Sequence, residues 1–156
     1  MSTPLSQGLR VESAIDPVDI NGAGANGAVI SMKGYGHCSV IIKTGVLHNS
    51  GSSAVTMEQG TAIAFGTSKA LGFNDYWKEG TQTTATSNTF TIAGTDDSSV
   101  FVIEVDASTM DVANGYDCLR VVLATPGAYS FIVDATYVLS QPRYAGEAGF
   151  VTPTSD

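Results

Sequence analysis

The chain has 156 residues and a net charge of −8, from 15 acidic against 7 basic residues, and only 14% of its residues are charged. A chain of this length forms one domain burying roughly 70% of its unfolded surface, so stability requires neither disulfides nor a metal. Arg10, Lys33, Lys43, Lys69, Lys78, Arg120 and Arg143 form no cluster, which argues against direct nucleic-acid binding. There is no apolar run of the roughly 18–20 residues that a membrane-spanning helix needs.

Residues 1–13 are polar, contain Pro4 and Gly8, and read as an N-terminal arm. They lack the basic-then-apolar order of a secretory signal, so synthesis in the cytoplasm is expected. Residues 14–20 read as an edge strand, because Pro17 is tolerated only at an edge or a strand start. A glycine loop at 21–27 precedes strands at 28–33 and 37–44, and 47–53 is a turn. In 54–64, Val55 and Met57 alternate with Thr56 and Glu58, the pattern of a strand buried on one face.

Residues 70–78 suggest strand–turn–strand around Asn74-Asp75, and the Thr-rich stretch 79–88 reads as a loop. Strands follow at 89–93 and 99–106, the second placing Phe101, Ile103 and Val105 on one face. Residues 107–112 suit one helical turn before Asn114-Gly115, a strong turn dipeptide. Two long strands joined by Thr125-Pro126-Gly127 fill 117–144, the region densest in β-branched, aromatic and other apolar residues. This pair is expected at the middle of the fold. Arg120, on its polar face, is expected to pair with Asp106 or Asp117.

Some eight to ten short strands at this spacing, with no amphipathic segment of helical length, specify an all-β chain. Short connections make the pairing mostly antiparallel. The expected architecture is a two-layer antiparallel β-sandwich, of which a jelly roll is one form. Its expected core holds Phe101, Ile103, Val105, Leu119, Val121, Leu123, Phe131, Val133 and Tyr137. The domain spans 14–144, flanked by arms at 1–13 and 145–156.

Four motifs suggest chemistry, and each has a plainer reading. Gly22-Ala23-Gly24-Ala25-Asn26-Gly27 matches the dinucleotide fingerprint in letters. That fingerprint requires a helix at its third glycine, and the β-prone Ala28-Val29-Ile30 follows instead. His37, Cys38 and His48 do not form a zinc set, because adjacent strand residues point to opposite faces. Cys38 and Cys118 each lie in an apolar strand and read as free buried thiols. Asp96, Asp97, Asp106, Asp111 and Asp117 lack the spacing of a calcium loop and read as acidic turns. No nucleophile–base–orienter set can be named, so no catalysis is expected, and no cofactor or metal. Tyr76-Trp77 is the remaining candidate, as an exposed binding platform or as a pair buried at a sheet end.

From Val100 onward the sequence reads VFVIEVDASTMDVANGYDCLRVVLATPGAYSFIVDATYVLSQPRYAG. The Val-Ile-Glu-Val-Asp-Ala strand, the Gly-Tyr-Asp-Cys-Leu-Arg strand, the Ala-Thr-Pro-Gly turn and the Tyr-Val-Leu-Ser-Gln-Pro-Arg-Tyr ending resemble small structural proteins of tailed bacteriophages. Val18-Asp19-Ile20-Asn21-Gly22 and Ala54-Val55-Thr56-Met57-Glu58-Gln59-Gly60 are similar to earlier segments of that group, so the resemblance covers 17–146. It implies a virion component without catalysis, foremost a capsid decoration (cement) protein on the outer surface. Its implied partners are the major capsid protein and neighbouring copies, with a dimer or trimer in the particle; a tail, neck or fibre component is the alternative, and a carbohydrate-binding module a more distant one. Partner contacts are expected at Pro142, Arg143 and Tyr144 of the domain exit, at Leu5 and Phe150 of the arms, and at Trp77.

Overall fold

Alternating burial runs through the long strands of the computed structural model, which describes residues 8–143. With strands numbered in chain order, the first sheet has six, ordered β1 (Arg10–Asp19), β12 (Phe131–Pro142), β4 (Tyr35–Leu47), β10 (Val100–Asp106), β7 (Asp75–Lys78) and β8 (Thr81–Thr84). The second contains β2 (Ala25–Asn26), β11 (Cys118–Leu123), β5 (Ser52–Gly60) and β6 (Ser68–Leu71) in that order. Two more strands complete it: β3 (Ile30–Ser31) pairs with β11, and β9 (Phe90–Ala93) with β5. Every strand pairing is antiparallel. The fold is the all-β two-layer sandwich that the strand pattern predicts.

The core lies between the sheets. Phe131, Val133, Ala135, Tyr137 and Leu139 of β12 face Val55 and Met57 of β5 and Leu119, Val121 and Leu123 of β11, all buried. All nine residues expected in the core are there. Phe90 carries the aromatic packing at one side, stacked on Tyr76 at 4.0 Å and on Phe101 at 5.5 Å between ring centroids. Aromatic pairs add roughly 0.5–1.5 kcal/mol beyond area burial.

The strands of 117–144 are central, as expected, but they are not a hairpin. β11 lies between β3 and β5 in the second sheet, and β12 between β1 and β4 in the first. The Thr125-Pro126-Gly127 segment therefore carries the chain from one layer to the other. Asp19 fixes this crossover: its carboxylate accepts hydrogen bonds from the Phe131 N–H at 2.7 Å and the Ser130 hydroxyl at 2.8 Å. Those bonds hold its carboxyl below the usual carboxylate range.

Other boundaries shift for local reasons. β1 starts at Arg10 and so takes in residues 10–13 of the expected arm. β5 stops at Gly60, where the Phe65 ring lies where a Cβ would stand, 2.5 Å away. Only Ile30–Ser31 of the expected strand at 28–33 is paired. The expected helical turn at 107–112 becomes two 3-10 turns, Ala107–Thr109 and Val112–Asn114.

The stretch 79–88 contains β8. Glu79 and Gly80, with φ of 48° and 78°, form a two-residue turn with both central residues left-handed, the geometry that closes tight hairpins.

Candidate functional site

The glycine run at 22–27 serves the core. A Cβ on Gly27 would lie 2.7 Å from the Tyr137 hydroxyl, and one on Gly24 would lie 2.6 Å from the Leu123 carbonyl oxygen. Strand β2 lies within the run and β3 follows it, with no helix, so the requirement of a phosphate-binding turn is unmet. The acidic turn residues separate to individual partners. Asp96 meets Lys78 at 2.5 Å, Asp97 accepts from the Leu47 N–H at 2.6 Å, Asp111 holds Lys69 and Asn114, and Asp117 faces Lys33 at 3.6 Å. Among the described residues, no group of three or more His, Cys, Asp or Glu side chains is placed to hold a metal ion.

A polar cluster covers the outer face of the first sheet where β4 and β10 meet. Register places His37 opposite Asp106 and Ser39 opposite Glu104. The His37 ring contacts Glu104 Oε2 through Nε2 at 2.6 Å and Asp106 Oδ1 through Nδ1 at 2.9 Å. Ser39 also donates to Glu104, at 2.6 Å. Partial burial opposes the imidazolium, but the bonds to Asp106 and Glu104 outweigh it and raise the His37 pKa above its ordinary value. Both ring nitrogens are engaged, which leaves neither free for a metal. On the opposite face of the same strand, Cys38 is fully buried, and burial followed by the Glu104 charge pushes its thiol up to about 12. Cys118 is also free and buried, with its thiol pushed up to about 11, chiefly by burial.

Arg120 pairs with neither Asp106 nor Asp117. Its Nε meets Glu58 Oε2 at 2.7 Å, because β11 register sets Arg120 directly opposite Glu58 on β5. The guanidinium also lies 4.6 Å from the Phe65 ring centre. Asp106 belongs to the other sheet, out of reach.

The expected partner-contact residues fall into separate places. Leu5, Tyr144 and Phe150 lie outside the described residues. Pro142 ends β12 opposite Tyr35, and the Arg143 N–H donates to the Gly34 carbonyl at 2.8 Å, both residues exposed. Trp77 is half-buried on β7, opposite Val102 and Gln82, with Tyr76 turned inward onto Phe90. From Pro142 to Trp77 is six residues along β4 and three strand spacings across, ~25 Å.

Trp77 instead ends an apolar row across the outer face, Ile41–Val102–Trp77, each half-buried and directly paired with the next. A shallow cleft of 160 Å³ opens where β1 is irregular near Pro17, lined also by Lys43, Gly45, Ile132 and Asp134. It is well below the roughly 300–1,000 Å³ of small-molecule sites. The two features missed in sequence, the His37 cluster and the β8 edge, needed strand register to bring their parts together.

No family model matches this chain, and no curated protein matches it in sequence. Among solved structures, the chain is similar to the SPBc2 prophage-derived protein YomS. The two share 8% identity with a TM-score of 0.51, over 85% of this chain and 93% of that one. The likeness is one of fold.

Proposed function

We propose that this protein is a structural component of a tailed-phage virion, and within it a decoration protein of the outer capsid surface. The observation that carries the reading is the placement of the two chain ends. β1 begins with Arg10 opposite Leu139, and β12 ends three residues later at Pro142. The segments before and after the sandwich thus leave from neighbouring strands at one end of the domain. A module tethered through that end can hold two neighbouring subunits of a shell while the rest of the sandwich faces outward. Its contacts are the major capsid protein and further copies of itself, and it performs no chemistry.

Three further points support this reading. The acidic composition disfavours the DNA-lined interior. The sequence resembles small phage structural proteins, and its fold is shared with a prophage-derived protein. Quantitative mass spectrometry and cryo-electron microscopy of intact particles test the proposal. Copies distributed over the shell, numbering on the order of hundreds, are expected. About a dozen or fewer at one vertex, as a closed ring gives, would replace capsid decoration with a neck or tail role.

A further inference from the structure

We infer that β8 is an open docking edge that takes the C-terminal segment of a second copy of this chain as an added strand. The inference does not depend on the virion reading. The two edges of the first sheet differ. β1 is guarded by Pro17, by two register irregularities and by Arg10, Glu12 and Asp16, the devices that keep edge strands from pairing. β8 is Thr81-Gln82-Thr83-Thr84, all exposed, without charge, proline or bulge.

Register shows which of its backbone groups are open. The Ala85 N–H donates to the Asn74 carbonyl at 2.7 Å, and the Glu79 N–H donates to the Val100 carbonyl at 3.0 Å. Alternation along antiparallel ladders then assigns Thr81 and Thr83 to bonds with β7. Gln82 and Thr84 consequently direct their N–H and C=O groups away from the sheet. That is the arrangement a strand addition completes.

The occupant follows from the chain outside the described domain. Residues 149–152 are Gly-Phe-Val-Thr, an uncharged run whose last three residues are β-formers, bounded by Pro153. It matches the four-residue length of β8. Added antiparallel to β8 with Val151 opposite Gln82, it turns the Val151 N–H toward β8 and places the Val151 side chain on the outer face beside Gln82 and Trp77, extending the apolar row there.

Distance selects a neighbour over self-closure. Arg143 lies near the start of β4, whereas a strand beyond β8 is five spacings across the sheet and about five residues along it, ~29 Å away. Six residues from Arg143 to Gly149 span at most about 21 Å when fully extended. The segment therefore falls short of its own β8 and pairs with another copy's.

The test uses the purified full-length protein without any particle. Light scattering over a concentration series should show self-association, with amide-exchange protection at Gln82 and Thr84 that rises with concentration. Thr84→Pro removes only an outward-facing N–H, and Val151→Pro removes the matching donor on the incoming strand. Each is expected to weaken association at least tenfold with unchanged circular dichroism, while Thr84→Val, which keeps the backbone donor, retains it. A wild-type chain that stays monomeric up to millimolar concentration, association untouched by both prolines, or protection independent of concentration would each overturn the inference. None of these outcomes bears on copy number in a particle, so the two readings fail separately.

Discussion

The Tyr137 hydroxyl, from β12 in one sheet, accepts the Val121 backbone N–H of β11 in the other at 2.9 Å. It also donates to the Ala28 carbonyl at 2.9 Å. Tyr137 is fully buried, and burial drives its pKa up, keeping the phenol protonated as a donor. Antiparallel register pairs Val121 with Met57, and Tyr137 with Val40. One phenol on β12 thus ties the first layer to the backbone of β11 and to the Ala28 carbonyl.

Tyr137→Phe keeps the ring and removes this tie. The Ala28 carbonyl and Val121 N–H then lose a buried partner, at a cost of about 1–3 kcal/mol. Chemical denaturation should show a lower midpoint with an unchanged slope. A loss under about 0.5 kcal/mol would mean that the layers are held by packing alone.

Gly27 is the complement of that hydroxyl. Its missing side chain leaves the space in which the Tyr137 hydroxyl and Val121 sit, the latter's Cγ1 only 2.9 Å from where a Cβ would be. Gly27→Ala should cost about 1–3 kcal/mol by overpacking. In the Tyr137→Phe background the penalty should shrink, because the atom it strikes first is gone. A double-mutant cycle measures that coupling, and strict additivity would contradict it.

Legibility in the sequence followed burial. Strand β10 sets Phe101, Ile103 and Val105 on one face and Val102, Glu104 and Asp106 on the other, so its buried face could be read from the charged residues opposite it, and Arg120 in β11 and Asp134, Thr136 and Ser140 in β12 give the same cue. β8 could not be read that way: an edge strand exposed on both faces has no apolar alternation to display, and Thr-Gln-Thr-Thr looks like a loop. The layer change between β11 and β12 was concealed by a good turn sequence. Its signal was length, since residues 124–130 separate the strands, longer than the roughly two to five residues of most hairpin loops. Pairings such as Arg120–Glu58 and His37–Glu104 depend on register between strands far apart in sequence, which no local pattern encodes.

His37 makes stability respond to pH. Its folded pKa is raised, through Asp106 and Glu104 acting against partial burial. The folded state therefore binds the proton more tightly than the unfolded chain does. The resulting stabilisation is fully present below the unfolded value near 6.5 and is lost as pH rises through the higher folded value. Melting temperature should accordingly decline from about pH 6 to 8, and His37→Gln should flatten that slope. An identical slope in the variant would assign the pH response to other groups.

The cysteines provide a probe of unfolding that needs no added label. Cys38 and Cys118 are free and buried, in different sheets, with thiols pushed up to about 12 and about 11. Thiolate is the reactive form, so both are protected twice, by access and by protonation. Native protein at pH 8 should react with a thiol-specific disulfide reagent far more slowly than denatured protein. The two rates need not match. Cys118 begins β11 beside exposed connections, whereas Cys38 lies between β10 and β12 with no exposure. Local opening at the end of the second sheet should label Cys118 first, leaving Cys38 to report global unfolding. Single variants Cys38→Ala and Cys118→Ala separate the phases, and equal rates at both sites in mild denaturant would show that the two sheets open together.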